Sequence, residues 1–249
     1  KAIDLSKPDE IYYLAGLTSV GLSFEQPLEC MESISGGTIN FLEAIKLLNP
    51  NIRFFNAGSS ECFGNTNKVS ANEETAFNPR SPYAIAKSTA FWQVASYRES
   101  YNLFCCTGIL GNHESPLRHE RFVSQKIIKE VKKIEKGISN NIRLGNINIF
   151  RDWGLASEYI EAMYLMLNNK IAEDYVIATG ESNSLEQFVK LAFEYINLDY
   201  KKYIVIDKNY FRPSDIKYSF LDPSKIKKEL GWVAQTKISK LVDLMYKSI

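Results

Sequence analysis

The 249-residue sequence contains no run of about 18 apolar residues, which is the length that a membrane-spanning helix needs. Its first residues, KAIDLSKPDEIYYLAG, lack the basic, apolar and small-residue segments of a signal peptide. We therefore expect a soluble, cytoplasmic protein with no membrane partner.

An excess of one charge is also missing. The 30 basic side chains stand against 29 acidic ones, which leaves a formal net charge of +1. Proteins that bind nucleic acid usually carry an excess of positive charge, which attracts the phosphate backbone. This sequence has no such excess, so no nucleic-acid partner is expected. Any anion that this protein binds must be held by a local site.

Cysteine is scarce and carries no metal-binding pattern. The four cysteines, Cys30, Cys62, Cys105 and Cys106, form no C-x-x-C pair and no zinc spacing. Three of them lie in apolar stretches, which favours buried free thiols in a reducing compartment and predicts no metal site. A hydrophobic content of 45% and a charged content of 24% are enough for a packed core.

Short apolar runs rich in aromatic and β-branched residues alternate with helical periodicity, a pattern typical of an α/β protein with a parallel sheet covered by helices. The predicted strands cover residues 10–15, 52–57, 103–109 and 175–179. The predicted helices cover residues 37–48, 82–99, 122 to about 136, 184–196 and 222–230.

A glycine-rich turn is absent. Dinucleotide-binding folds begin with a strand followed by G-x-G-x-x-G or a related spacing, which lets backbone amides approach the pyrophosphate. No such motif occurs in this sequence. Either the fold is different, or its first part lies outside this chain.

Polar residues follow two of the predicted strands, at the ends where open α/β sheets bind their ligands. Ser59 and Glu61 follow the second strand, and Asn112 and His113 follow the third. Between them, Tyr83-Ala-Ile-Ala-Lys87 places a phenol and an ammonium four residues apart on one helix face. An adjacent ammonium favours the phenolate, so the pair could act as a base, although this spacing alone also suits an ordinary surface tyrosine.

Ser-Ser-Glu followed by Tyr-x-x-x-Lys resembles the extended short-chain dehydrogenase/reductase superfamily. Further segments are similar to the GDP-mannose 4,6-dehydratase family in particular, over about residues 9–232. These segments are SFEQP at 23–27, NPRSPYAIAK at 78–87, YRESY at 97–101, GILGNHESP at 108–116, RFVSQKI at 121–127, RDWG at 151–154, VIATG at 176–180 and FRPSD at 211–215.

The resemblance implies a Rossmann-like, doubly wound parallel sheet with a smaller α/β substrate-binding lobe. It also implies that the family's first strands and glycine-rich turn precede Lys1, so that this chain lacks about two βα units of about 30 residues each. On this basis residues 1–116 and 151–180 are expected to form the dinucleotide-binding domain. Residues 117–150 and most of 181–249 are expected to form the substrate lobe.

The function implied is the NADP-dependent 4,6-dehydration of a GDP-manno-configured sugar to the GDP-4-keto-6-deoxy sugar. The resemblance makes Tyr83 the base at the 4-hydroxyl and Glu61 the acid/base group for C5 and the departing 6-hydroxyl. Ser59 would polarise the 4-keto oxygen, and Lys87 would support Tyr83 and hold the nicotinamide ribose. A homodimer or homotetramer is also implied.

The resemblance extends to the binding residues. Those implied for the cofactor NADP are Leu14, Ala15, Tyr83, Lys87, His113 and Arg118. Those implied for the GDP-sugar substrate are Asn112, Lys126, Arg151, Arg212 and Asp215. Each cation also has a simpler interpretation; Arg151, for example, could form a local ion pair with Asp152. Trp153 and Trp232 are interpreted as core residues.

Two segments depart from the family pattern. Residues 17–20 read Leu-Thr-Ser-Val where Gln-Ser-His-Val is common, and residues 117–121 read Leu-Arg-His-Glu-Arg, without a second consecutive arginine and a glycine. Both segments are expected to flank the sugar pocket, so a GDP-manno-heptose is an alternative substrate. A nucleotide-sugar reductase or epimerase, and a non-catalytic nucleotide-sugar-binding protein, remain alternative functions.

Overall fold

A computed structural model describes residues 1–248 of the chain. Its helices are α1 (Ala2–Ser6), α2 (Val20–Ser23), α3 (Pro27–Met31), α4 (Gly37–Leu48), α5 (Pro82–Tyr101), α6 (Val123–Glu135), α7 (Ala156–Leu167), α8 (Leu185–Glu194), α9 (Ser224–Leu230) and α10 (Ile238–Lys247). Its strands are β1 (Glu10–Tyr13), β2 (Arg53–Ala57), β3 (Cys105–Leu110), β4 (Asn112–Glu114), β5 (Ile142–Leu144), β6 (Phe150–Leu155), β7 (Tyr175–Ile177), β8 (Ser182–Ser184) and β9 (Ile204–Ile206).

The main sheet has the strand order β1-β2-β3-β7, and all its neighbours are parallel. Alternate residues of each strand point to opposite faces, and both faces are covered. Phe54 and Cys105 pack with α4 and α5 on one face. Phe55 and Cys106, one position along, pack with α7 and α9 on the other. The sheet is therefore doubly wound, as predicted, and its strands read as continuous apolar runs.

A second core lies outside this sheet. It is formed by α6, α8 and α10 together with β5, β9 and Trp153 of β6. Strand β6 also pairs with β4 and β8 in a small three-stranded sheet, which connects the second core to the end of β3. The domain boundaries inferred from the sequence stay a prediction.

The predicted helices are found, and the capping residues explain their bounds. Helix α4 has the predicted bounds, and α5 begins at Pro82 with the Ser81 hydroxyl accepting a hydrogen bond from the amide of Ala84. Helix α5 runs two residues further than predicted, to Tyr101, and is followed by Asn102 as its C-cap in a left-handed conformation with φ 52°. Helix α9 ends at Gly231, as predicted.

The strands are shorter than the apolar runs suggest. Strand β1 stops at Tyr13, because the chain turns away towards Gly16 (φ 130°), so Leu14 and Ala15 lie beyond the ladder. Strand β7 stops at Ile177, and the amide of Thr179 donates instead to Asp152. Strand β6 and helices α7 and α10 are not predicted from the sequence. Strand β6 contains Arg151 and Asp152, so its sequence does not read as an apolar run although these residues are buried. Within residues 1–248, no helix is long and apolar enough to cross a membrane.

The pair Arg98–Asp174 ties helix α5 to the sheet. The two guanidinium nitrogens of Arg98 donate to the two carboxylate oxygens of Asp174 at 2.9 and 2.6 Å. Asp174 also accepts the amide of Thr107 in β3, and Arg98 donates to the carbonyl of Cys105. Loss of either partner would leave a largely buried charge without its counter-ion.

We expect Asp174→Ala to lower the free energy of unfolding by about 3 to 5 kcal/mol, measured by urea denaturation. The neighbouring variant Glu173→Ala is the matched control, because Glu173 forms an exposed pair with Lys225. That control should cost no more than about 1 kcal/mol. Equal losses in the two variants would show that the Arg98–Asp174 pair does not hold α5 on the sheet.

Candidate active site

A cavity of about 420 Å³ opens where the carboxyl ends of β2 and β3 face the second core. Ten of the residues predicted for the site line this cavity. They are Ser59, Glu61, Tyr83, Asn112, His113, Arg118, Lys126, Arg151, Arg212 and Asp215. Three others, Leu14, Ala15 and Lys87, do not line it.

Ser59 and Glu61 reach the cavity through a tight turn after β2. Gly58 begins this turn, and a Cβ there would lie 2.7 Å from the Thr107 side chain and 2.9 Å from the Gly108 carbonyl, so only glycine fits. Ser59 then caps a short 3-10 helix, Ser60–Phe63, by accepting a hydrogen bond from the amide of Glu61. The turn fixes a hydroxyl and a carboxylate beside each other.

Tyr83 is a buried residue in the first turn of α5 and not a surface tyrosine, although its side chain lines the cavity. Burial raises the pKa of the Tyr83 phenol, and the neighbouring Ser59 hydroxyl partly offsets this rise. The phenol is therefore neutral in the free protein. Ionisation of Tyr83 requires added positive charge or hydrogen bonds.

Lys87 lies behind Tyr83 and is only 4% exposed. Its ammonium donates to the carbonyl of Ala57 at 2.6 Å and lies 5.9 Å from the centre of the Tyr83 ring. Burial lowers the pKa of Lys87 to about 8. The predicted pairing on one helix face is present, and the two groups interact through space without a direct hydrogen bond.

His113 and Arg118 form one wall of the cavity. The Nδ1 atom of His113 lies 2.9 Å from the carbonyl of Gly111, and burial lowers the pKa of His113 to about 4, so the imidazole is neutral. Arg118 donates to the carbonyl of His113, and its guanidinium stacks over the Phe122 ring at 4.0 Å.

Glu114 belongs to the polar end of the third predicted strand, and the sequence assigns it no role in the site. It is buried, accepts a hydrogen bond from the Ser124 hydroxyl, and pairs with Nε of Arg118 at 3.2 Å. Its position four residues before Arg118, inside a strand, was the available signal. Glu114 therefore fixes the position of the cation.

Arg151 occupies the centre of the polar wall and is 4% exposed. Its Nη1 atom donates to the carbonyls of Phe150 and Ile216 at 2.9 and 2.7 Å. Its other nitrogens face two carboxylates, Asp215 at 3.4 Å and Glu61 at 3.8 Å. The alternative of a local ion pair with Asp152 is wrong.

The far end of the cavity carries two further cations. The ammonium of Lys126 donates to the carbonyl of Arg143 and lies 3.8 Å above the centre of the Tyr210 ring. Arg212 lies 3.9 Å from Asp215. Tyr210 also lines the cavity and was not assigned to the site from the sequence. An aromatic ring two positions before Arg212 offers a face on which a planar ligand can stack.

Residues 17–20, which depart from the family pattern, lie in two different environments. Ser19 lines the cavity. Leu17 instead packs against an apolar cluster that includes Ile34 and Tyr83. The two tryptophans are buried core residues as predicted, and Trp153 also contributes to the cavity wall.

Taken together, the cavity has two chemically different ends. Ser59, Glu61 and Tyr83 form a group suited to proton transfer at one end. The cations Lys126 and Arg212 lie at the other end, and Arg151 lies between the two groups, so the three cations can bind an anion there.

Sequence comparisons identify the proteins that this chain is similar to. A family model described as GDP-mannose 4,6 dehydratase matches residues 1–245. GDP-mannose 4,6 dehydratase 2 of Arabidopsis thaliana is 43% identical over 247 residues, which cover 98% of this chain and 66% of that protein. The Homo sapiens GDP-mannose 4,6 dehydratase is 38% identical over 262 residues, which cover 97% of this chain and 70% of that protein.

Solved structures show the same fold at low sequence identity. The structure of RMD from Pseudomonas aeruginosa complexed with NADPH aligns with a TM-score of 0.87 and 20% identity, covering 97% of this chain and 81% of that one. A UDP-glucose 4-epimerase from Thermotoga maritima also aligns with a TM-score of 0.87, at 22% identity, covering 99% of this chain and 79% of that one.

The chain spans about two thirds of the length of the curated relatives that it matches. The family model covers almost the whole chain, and the relatives exceed 30% identity across it. On these grounds the chain belongs to the GDP-mannose 4,6-dehydratase family.

Proposed function

We propose that this protein acts as an NADP-dependent 4,6-dehydratase of a GDP-manno-configured sugar. The observation that carries the proposal is one cavity in which Glu61 stands beside Ser59 and Tyr83, while Arg151 faces the same space. A dehydratase needs a carboxylate in addition to the hydroxyl and phenol. A reductase or an epimerase of the same superfamily needs only the latter two.

The residues present fit the nicotinamide-ribose end of NADP. Lys87 uses one of its three N–H donors on Ala57 and has no carboxylate partner among residues 1–248, so donors remain for ribose hydroxyls. We expect Leu14 and Ala15, at the carboxyl end of β1, to complete this site with His113 and Arg118. When bound, NADP supplies the acceptor and the donor of a hydride.

Three side chains then handle the protons. Tyr83, supported by the Lys87 ammonium, takes the proton of the sugar 4-hydroxyl. Ser59 donates a hydrogen bond to the oxygen that becomes the 4-keto group. Glu61 removes the C5 proton, which the neighbouring keto group acidifies, and a proton from Glu61 accompanies the departing 6-hydroxyl as water. The proton held by Tyr83 returns to C5 or to the medium, which completes the 4-keto-6-deoxy product.

The other end of the cavity holds the nucleotide. Guanidinium groups bind phosphate oxygens in a bidentate manner, which suits Arg151 and Arg212 to the diphosphate. Lys126 adds a third cation, and Asn112 and Asp215 offer hydrogen bonds to the ribose or the base. The relatives' names state GDP-mannose, and we extend that substrate to this chain.

The sugar itself is the finer part of the proposal. Ser19 is smaller than the histidine that is common in the family at this position, and its side chain lines the cavity. We infer that the pocket accepts a substituent on C6, as a GDP-manno-heptose carries.

We also propose a homodimer or homotetramer, with a second copy of this chain covering an apolar part of α5. Trp92 is 62% exposed and Ile85 is 47% exposed, seven residues apart on the same face of that helix.

Glu61→Gln should lower the formation of the 4-keto-6-deoxy product by about 100- to 10,000-fold, because an amide cannot accept the C5 proton. The keto sugar is measured by its ultraviolet absorbance in alkali, with NADP supplied. Glu120→Gln is the matched control, because Glu120 also lines the cavity but pairs with Lys129 at 2.8 Å, and it should keep its activity. Retained turnover in Glu61→Gln would rule out the dehydratase.

Lys87→Ala should move the acidic limb of the pH profile of kcat/KM upwards by about one to two pH units. Tyr83 must lose its proton to act, and the phenolate is less stable without the ammonium, so its pKa rises further. Lys87, with its pKa at about 8, is charged at neutral pH and gives this support there. Lys126→Ala should raise KM and leave the limb in place. An unchanged limb in Lys87→Ala would remove the lysine from the mechanism.

GDP-manno-heptose should be turned over with a kcat/KM at least equal to that for GDP-mannose. An added hydroxyl is rejected only weakly by most pockets, so discrimination should not exceed tens to roughly a few hundred-fold. The two substrates are compared side by side in wild type and in Ser19→His. A clear preference of the wild type for the hexose would show that Ser19 does not widen the pocket.

A further inference from the structure

Four charged side chains form a continuous chain across the cavity. Glu61 lies 3.8 Å from Nε of Arg151, Arg151 lies 3.4 Å from Asp215, and Asp215 lies 3.9 Å from Arg212. The two carboxylates and two guanidinium groups balance in charge. The residue implied for the C5 proton is thus a partner of a cation implied for the diphosphate.

Arg151 cannot move far within this chain. Its Nη1 atom is held by two backbone carbonyls, and the residue is 4% exposed, so the guanidinium keeps one orientation. The two remaining edges of the guanidinium face carboxylates. Three of its five N–H groups donate hydrogen bonds, and the two that remain, on Nε and Nη2, lie at the edges that the carboxylates face. An anion that binds Arg151 must therefore approach an edge where a carboxylate already lies.

The two carboxylates are not held equally. Asp215 is within hydrogen-bond distance of Arg151, whereas Glu61 at 3.8 Å forms an ion pair without a hydrogen bond. Asp215 also pairs with Arg212 at 3.9 Å, whereas Arg151 is the cationic partner of Glu61. Glu61 is therefore the partner that yields at the smaller cost.

The charge of a diphosphate would favour displacement of Glu61 from Arg151. Each phosphate of the bridge carries one negative charge, and the balanced group of four has no spare positive charge for it. Repulsion between the phosphate oxygens and the Glu61 carboxylate opposes binding while both face Arg151. Binding becomes favourable when the carboxylate moves to the open cavity and the phosphate takes its place.

We propose that Glu61 occupies Arg151 in the free protein and that the substrate diphosphate displaces it, so that binding of the nucleotide releases the carboxylate for reaction. This inference rests on the proposed function for the role of Glu61 in the chemistry. It makes Arg151 a positioning residue for Glu61 as well as an anion ligand. The carboxylate is directed at the sugar only when a diphosphate is present.

The test compares the binding of GDP and of guanosine by isothermal titration calorimetry. Glu61→Gln removes the competing charge, so its affinity for GDP should rise by about three- to fivefold, the upper part of the range expected for a partly exposed ion pair. Its affinity for guanosine, which has no phosphate, should stay within about twofold of the wild type. Glu120→Gln, which removes a cavity charge that does not touch Arg151, should change neither affinity beyond that range.

An unchanged or weaker affinity of Glu61→Gln for GDP would overturn the exchange. An equal rise in Glu120→Gln would do the same, because it would reduce the effect to the overall charge of the cavity. These outcomes are separate from the failure of the proposed function, which is judged by product formation. If Glu61→Gln loses turnover but its GDP affinity is unchanged, the displacement of Glu61 by the diphosphate is wrong and the dehydratase function stands. If Glu61→Gln keeps its turnover, the dehydratase function is wrong whatever the GDP affinity.

Discussion

Burial of the main sheet on both faces is the constraint on which the rest of the structure depends. Phe54 and Phe55 are adjacent residues of β2, yet each packs into a different core, one on either side of the sheet. No face of the sheet is left for polar chemistry, so the reactive side chains can emerge only where the strands end. Ser59, Glu61 and Asn112 are located at such ends, and the second core closes the space above them.

The two buried cations of the site, Arg151 and Lys87, are held in different ways. Arg151 is held by backbone carbonyls and shared between two carboxylates. Lys87 is buried, donates to the carbonyl of Ala57 and has no carboxylate partner within residues 1–248. The first arrangement fixes a cation in place beside two counter-ions. The second lowers the pKa of Lys87 to about 8, which leaves the ammonium charged but poorly solvated beside Tyr83. Both depend on exclusion of water by the surrounding cores.

Much of the fold could be predicted from the sequence, since the signals involved are local. The capping residue Ser81, the proline that follows it and the apolar periodicity were enough to locate the start of α5. The bounds of the strands were less predictable, because they depend on ladder partners: β7 ends where the amide of Thr179 finds Asp152. Strand β6 was not predicted, because its charged residues are buried only by contacts with distant segments.

For the site, the sequence by itself determined which chemical groups are present and the order in which they follow the strands. The spacing of Tyr83 and Lys87 on α5 is a local property of a helix, and the position of Glu61 follows from the end of β2. Only the tertiary structure decided how these groups interact. Lys87 lies behind Tyr83 because the helix packs against the carbonyl of Ala57. Glu61 pairs with Arg151, 90 positions later in the sequence, because β6 lies beside β4 at the same edge. Such contacts depend on packing between distant segments, and neither composition nor periodicity encodes them.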